Sequence, residues 1–325
     1  MGAKSYDVDD PYVKNILKGY ESYREWALKL YACKPEKLVA GSIQRLDSLA
    51  EVYAHATVIF FDGFGVLNIG DSPVPDMPAA IKKLRQLGKQ LRVLTNNGSR
   101  NAGQIAHWLN GMGFDFDEHE IISCGHALKT YFRKHMLEGA SVFYVGGVDG
   151  LQYVWEADGL PMNRPGQPLR AEIADRVVLA STHQMSAEEQ AMVEKLATRD
   201  IPVLCLNADL VAPHGPRELR EVTGAFALQL QEKFGARVEM LGKPFPMMFD
   251  TALKPFLFYP RDTLLMVGDS LFTDVLGAAC AGIKSVLVPS VIPFYNGQSV
   301  PDYCRAQKIH PDYYIEDLKA LCLPS

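Results

Sequence analysis

The chain has 325 residues, 48% of them apolar, and carries a net charge of −5. That length and apolar share allow more than one compact unit, most simply two, and an acidic balance without a basic stripe excludes a duplex-binding surface. No apolar run approaches membrane-spanning length, and the polar start from Met1 to Asp10 lacks the apolar core of a signal segment. The expectation is a cytoplasmic protein with neither a membrane nor a nucleic-acid partner.

Residues 10–52 carry apolar positions at helical spacing (Tyr12, Ile16, Leu17, Tyr20, then Trp26, Leu28, Leu30), broken at Lys34-Pro35-Glu36 and resumed over 42–53. This spacing predicts a helical leader packed on the main body. Its first reading is a structural brace; a contact within a homo-oligomer is the second.

At Thr57-Val58-Ile59-Phe60-Phe61 the pattern changes to a β-branched and aromatic run that ends in Asp62 and a glycine turn, Gly63-Phe64-Gly65. An acid so placed stands at the open end of a buried strand, the edge where ligands bind in parallel sheets. Helix over 78–87, strand over 91–94, helix over 101–111, strand over 121–123 and helix over 126–135 follow. The 91–94 strand runs into Thr95-Asn96-Asn97-Gly98-Ser99.

A second strand and helix series comes next, with strands over 141–145, 177–180 and 203–207 and helices near 150–158, 187–199 and 217–234. From Gly242-Lys243-Pro244 the first style returns: helix over 246–257, strand over 264–267, then Gly268-Asp269-Ser270 with Asp274 beyond it, helix over 273–281 and strand over 285–288. The alternation predicts an α/β doubly wound parallel sheet with helices on both faces. Chemistry-bearing residues cluster before and after the middle series, so the middle reads as an inserted α/β domain able to act as a lid. The expected domains are a leader over 1–52, a core over 53–136 and 241–325, and an insertion over 137–240. Six scattered cysteines form no Cys-x-x-Cys pair and read as structural thiols.

Carboxylates, a hydroxyl and a lysine at strand ends suit joint binding of a divalent cation and a phosphate. In their order, the segments at Asp62, Thr95, Lys243 and Asp269 resemble the four motifs of the haloacid dehalogenase superfamily. The large insertion between the second and third resembles subfamily IIA, the phosphatases with a C2-type cap. Asn207-Ala208-Asp209 with Thr223-Gly224-Ala225 matches the cap signature.

The resemblance implies a Mg²⁺ cofactor held by Asp62, Asp269, Asp274 and the backbone carbonyl of Phe64. It implies Asp62 as the nucleophile that forms an aspartyl phosphate, and catalytic support from Thr95 and Lys243. Gly63, Phe64, Gly65, Asn96 and Asn97 would meet the phosphate, and Asn207 and Asp209 the rest of a small phosphorylated metabolite, a sugar phosphate being one option. Arg92 and His183 are further polar candidates.

One position departs from the pattern. The family's phosphatases carry a general acid two residues after the nucleophile; here Phe64 stands there and cannot move a proton. Such a loss costs about 10²–10⁴-fold in rate. A dehalogenase-like hydrolase and a slow or non-catalytic phospho-metabolite binder therefore stay open as alternatives, although retained Asp269 and Asp274 argue against halide displacement.

Overall fold

A computed structural model describes residues 10–163, 173–213, 219–289 and 298–322. They divide into two units, one drawn from Met1–Thr95, Ala102–Ile122 and Ala252–Ser325, the other from Asn96–Asn101 and Ser123–Thr251.

The first unit is organised by a seven-stranded sheet in the order Gln44–Arg45, Tyr313–Tyr314, Lys284–Leu287, Leu264–Gly268, Val58–Phe61, Gln90–Thr95, Ile121–Ser123. The four central strands are mutually parallel; Val58–Phe61 and Leu264–Gly268 are fully buried, which is why those two read as continuous apolar runs rather than alternating ones. Val58–Phe61 connects through the Met77–Gln86 helix to the strand on one side, Gln90–Thr95. Leu264–Gly268 connects through the Leu276–Ala281 helix to the strand on the other side, Lys284–Leu287. The strand order thus reverses between the parallel strands Val58–Phe61 and Leu264–Gly268, the crevice where such sheets bind ligands.

The leader helix, Pro11–Leu30, starts as its sequence dictates: Asp10 Oδ1 accepts from the Tyr12 N–H at 2.7 Å and proline occupies the first turn. It buries Val13, Ile16, Tyr20, Tyr23 and Ala27. The expected helical resumption over 42–53 is only partly present. Gln44–Arg45 is instead an edge strand pairing with Tyr313–Tyr314, and the helix begins at Ala50. Backbone pairing to a distant strand has overridden the local periodicity.

Three other expectations change. The helix over 246–257 stops at Leu253 and continues as a 3₁₀ turn, Lys254–Phe256, because Pro255 lacks the N–H that an α-helix needs. The helix over 273–281 is preceded by a π-helical turn, Leu271–Val275. Of the helix placed over 217–234, residues 217 and 218 lie outside the described set, Leu219–Glu221 is a strand and the helix is Thr223–Phe234.

The second unit has its own five-stranded parallel sheet, ordered Val238–Met240, Val203–Cys205, Arg176–Leu179, Ser141–Val145, Leu160–Pro161. Its outer strands, Leu160–Pro161 and Val238–Met240, are two and three residues long, too short for the sequence pattern to mark. A hairpin, Val211–Pro213 with Leu219–Glu221, stands beside it as a separate two-stranded sheet. Among the described residues no helix is long and apolar enough to cross a membrane.

Candidate active site

Register brings the first unit's acids together. Phe61 pairs with Val267 on one side and Val93 on the other, and the Asp62 N–H donates to Val267 O at 2.9 Å. Asp62 therefore leaves its strand level with the end of Leu264–Gly268, where Asp269 follows directly. One oxygen from each of Asp62, Asp269 and Asp274 lies within 4.8 Å of the other two. Asp274 is fully buried and Asp269 nearly so.

Local hydrogen bonds hold each acid. Asp62 Oδ1 accepts from the Gly63 N–H at 2.7 Å. Beyond it the chain turns tightly: the Leu67 and Asn68 N–H groups donate to Gly63 O, and the Gly65 N–H to Asn68 O. The Asp274 carboxylate accepts from the Ser270 N–H at 3.1 Å, and Ser270 Oγ accepts from the Thr273 N–H at 3.2 Å.

The glycines on either side leave room that no other residue would. Gly65 has φ +92°, and a Cβ there would overlap Asp269 Oδ2. A Cβ at Gly268 would overlap the Asp274 carboxylate. The cradle is thus shaped to let carboxylates approach backbone and each other.

Three like charges this close repel unless positive charge is supplied. The donor set is all oxygen, which suits a hard cation such as Mg²⁺ or Ca²⁺ better than a thiophilic one. Ligand oxygens about 2.0–2.1 Å from a Mg²⁺ ion stand about 3–4 Å apart, and the observed cluster is compatible with that. The residues present fit a divalent cation.

Around the acids, Thr95 is nine-tenths buried at the end of its strand, and a Cβ on Gly63 would lie 3.5 Å from Thr95 Oγ1. The hydroxyl thus borders the turn that follows Asp62. Phe64 has no proton to give, and the residue is 37% exposed. Arg92 lies within its strand rather than at its end; its guanidinium sits over the Phe256 ring at 5.1 Å and donates to Leu91 O at 2.7 Å. That is a packing role.

The other predicted site residues belong to the second unit. Asn96, Lys243 and Asp209 are brought together by hydrogen bonds. The Asn96 amide donates to Asp209 Oδ1 at 2.9 Å and to Lys243 O at 3.1 Å, and its oxygen accepts from the Lys243 N–H at 2.7 Å. Lys243 is almost wholly buried and its bond to Pro244 is cis. Asn97 and Asn207 shape turns: the Asn97 oxygen accepts from the Ser99 N–H and hydroxyl, and the Asn207 oxygen from the Asp209 N–H. Exposed His183 faces Arg220, with 3.3 Å between Nδ1 and Nη1.

Cys124, one of the six cysteines read as structural thiols, donates its thiol hydrogen to Asn96 O at 3.2 Å. Burial pushes this thiol well above its ordinary range, so it packs the loop rather than serving as a nucleophile.

Two family models match the chain. One described as a haloacid dehalogenase-like hydrolase covers residues 59–160, and one described as HAD-hydrolase-like covers residues 240–321. Glycerol-3-phosphate phosphatase of Gallus gallus is 27% identical over 294 residues, 85% of this chain and 94% of that protein. Chronophin of Bos taurus is 28% identical over 287 residues, 84% of this chain and 95% of that protein.

Among solved structures, a possible sugar phosphatase of the HAD superfamily from Cytophaga hutchinsonii superposes with a TM-score of 0.73 at 24% identity, over 85% of this chain and 98% of that one. A glycerol phosphate phosphatase from Mycobacterium tuberculosis in complex with magnesium gives 0.70 at 23% identity, over 84% and 79%. Both likenesses speak to the fold.

Proposed function

This chain belongs to the haloacid dehalogenase-like hydrolases, and we propose that within that family it is a Mg²⁺-dependent phosphatase of a small phosphorylated metabolite. One observation carries the reading: three acids from opposite ends of the chain bring their oxygens within 4.8 Å of one another at the sheet's reversal point. The similarity to a glycerol-3-phosphate phosphatase along most of both chains supports the substrate class.

Asp62, Asp269 and Asp274 would hold the cation, with the Phe64 carbonyl as a further oxygen. When bound, the metal neutralises phosphoryl charge and lets a carboxylate approach phosphorus. An Asp62 oxygen attacks phosphorus as the bond to the leaving oxygen breaks, leaving an aspartyl phosphate. Water then attacks that phosphorus, releasing inorganic phosphate and restoring the carboxylate. By motif order Gly63, Gly65 and Thr95 would contact the phosphate; for Asn96, Asn97, Lys243, Asn207 and Asp209 a substrate role rests on the resemblance alone.

Phe64 narrows the choice. The leaving oxygen departs without a proton from this position, so the preferred esters have acidic leaving groups, and alkyl esters turn over slowly. The test is phosphate release from an aryl and an alkyl ester, with Mg²⁺ and with EDTA, in the natural chain and in Asp62→Asn. Metal-dependent release that favours the aryl ester and vanishes in Asp62→Asn supports the reading. Release that persists in EDTA sinks it, and halide release from a 2-haloacid under the same conditions would put the dehalogenase alternative in its place.

A further inference from the structure

Asp274, one of the three clustered carboxylates, sits on an unusual piece of backbone that begins two residues after Asp269. Leu271–Val275 is a π-helical turn: the Val275 N–H donates to Ser270 O five residues back at 3.2 Å, and the Asp274 N–H shares that acceptor at 3.1 Å. Such turns have an extra residue per turn, are rare, and concentrate at functional sites. A turn of this kind needs outside support to hold one shape.

The support comes from the leader. Tyr20, 5% exposed, stacks on Phe272 with ring centroids 5.0 Å apart and planes 9° from parallel. Phe272 is 3% exposed and lies between Asp269 and Asp274 in the turn. Tyr23, fully buried, meets the Tyr20 ring edge-on at 5.7 Å.

The same leader grips the far end of the following helix, Leu276–Ala281, where Lys37 Nζ donates to Cys280 O at 3.3 Å. A cation on a last-turn carbonyl is favoured there by the helix dipole. Arg24 Nη1 adds a bond to Gln307 O at 2.9 Å. Every one of these residues belongs to the first unit.

We propose that the helix Pro11–Leu30 is a positioning element for the metal site, with Tyr20 setting the Asp269–Asp274 spacing through Phe272. The inference rests on the metal reading above and extends it to a segment that carries no ligand. A plain brace would lend stability alone; a positioning residue also sets metal affinity. Support behind a ligand is worth about 10–100-fold in affinity, and support that reaches the ligand through a neighbouring ring belongs at about the lower figure.

The test titrates Mn²⁺ into the full chain, reading free Mn²⁺ by electron paramagnetic resonance, with melting temperature measured in parallel. The variants are Tyr20→Leu, Tyr20→Phe, Phe272→Leu and, as a control on the same helix, Val13→Ala. Tyr20→Leu and Phe272→Leu should each weaken Mn²⁺ binding about 10-fold, and the double variant no further than either alone. Tyr20→Phe should keep native affinity, and Val13→Ala should lower the melting temperature alone.

Unchanged affinity in Tyr20→Leu overturns the proposal, as does equal weakening in Val13→Ala. If Tyr20→Leu does not fold, Phe272→Leu and Tyr20→Phe decide by the same criteria. A natural chain that binds no Mn²⁺ overturns the metal reading and this inference with it, whereas a natural chain and Tyr20→Leu that bind Mn²⁺ equally overturn this inference alone.

Discussion

Two polar clusters stand at strand ends, one in each unit, and they are built on opposite principles. In the first unit, Asp62, Asp269 and Asp274 gather charge of one sign. In the second, the neutral amide of Asn96 joins an acid, Asp209, to the backbone of a lysine with three hydrogen bonds at 2.7–3.1 Å. The first arrangement raises the energy of the protein alone and lowers it when a cation binds; the second lowers it at once. A buried polar network with its bonds satisfied specifies structure, whereas like charges packed together mark a site that waits for a ligand.

The largest effect expected from this contrast is on turnover. Asp62→Asn should cut phosphate release by about 10³-fold or more while leaving the melting temperature of the metal-free chain unchanged or higher, since one of three repelling charges is gone. A marked fall in that temperature would place Asp62 among structural groups and break the comparison.

Asn96→Ala is the mirror experiment. It removes three hydrogen bonds, two of them buried and the third, part-buried, to a carboxylate, and should cost about 2–4 kcal/mol in urea unfolding. If stability holds and KM for the phosphoester rises instead, Asn96 is a substrate ligand and the two clusters are alike after all.

Phe64→Asp tests what the first cluster lacks. An acid there should speed alkyl ester hydrolysis by about 10²-fold and aryl ester hydrolysis much less. A flat response on both esters means that another group supplies the proton.

The smallest effect concerns an ion pair that belongs to neither cluster. Glu120 is nearly buried, and burial pushes its carboxyl up. The Arg85 hydrogen bond at 2.7 Å, the Asp117 N–H and the charges of Arg85 and Arg92 outweigh this and hold it below the ordinary range. A depressed carboxyl contributes stability that is complete above its unfolded value, about 4.3, and is lost as pH falls through the folded value. Arg85→Met should therefore cost about 2 kcal/mol at pH 7 and progressively less as acid approaches pH 3. An equal cost at both ends would assign Arg85 a packing role, consistent with its guanidinium lying 6.0 Å from the Phe116 ring centre.

How far the sequence could be read depended on range. The strand at Val58–Phe61, its terminal acid and the glycine turn were legible because apolar runs and turn glycines are local signals. Asp269 and Asp274 were legible by their place after a second buried run. Gln44–Arg45 was not, because its strand character exists only through pairing with Tyr313–Tyr314. Asn96 illustrates the same limit at the site: its partners stand 113 and 147 residues away in sequence. Tyr20 looked like any core residue of an amphipathic helix, since nothing nearby in the sequence points to Phe272.

The arrangement of strands carries a consequence for how the protein is made. The second sheet is contiguous, from Ser141 to Met240, but the first has Val58–Phe61 lying against Leu264–Gly268. On the ribosome the amino-terminal strand must therefore wait for its neighbour until most of the chain has emerged, holding an apolar surface without its partner meanwhile. Nascent chains arrested once Met240 has emerged from the ribosome should accordingly resist protease across the second sheet while remaining cleavable near Phe60. Equal protection of both would show that the early strand finds a temporary companion.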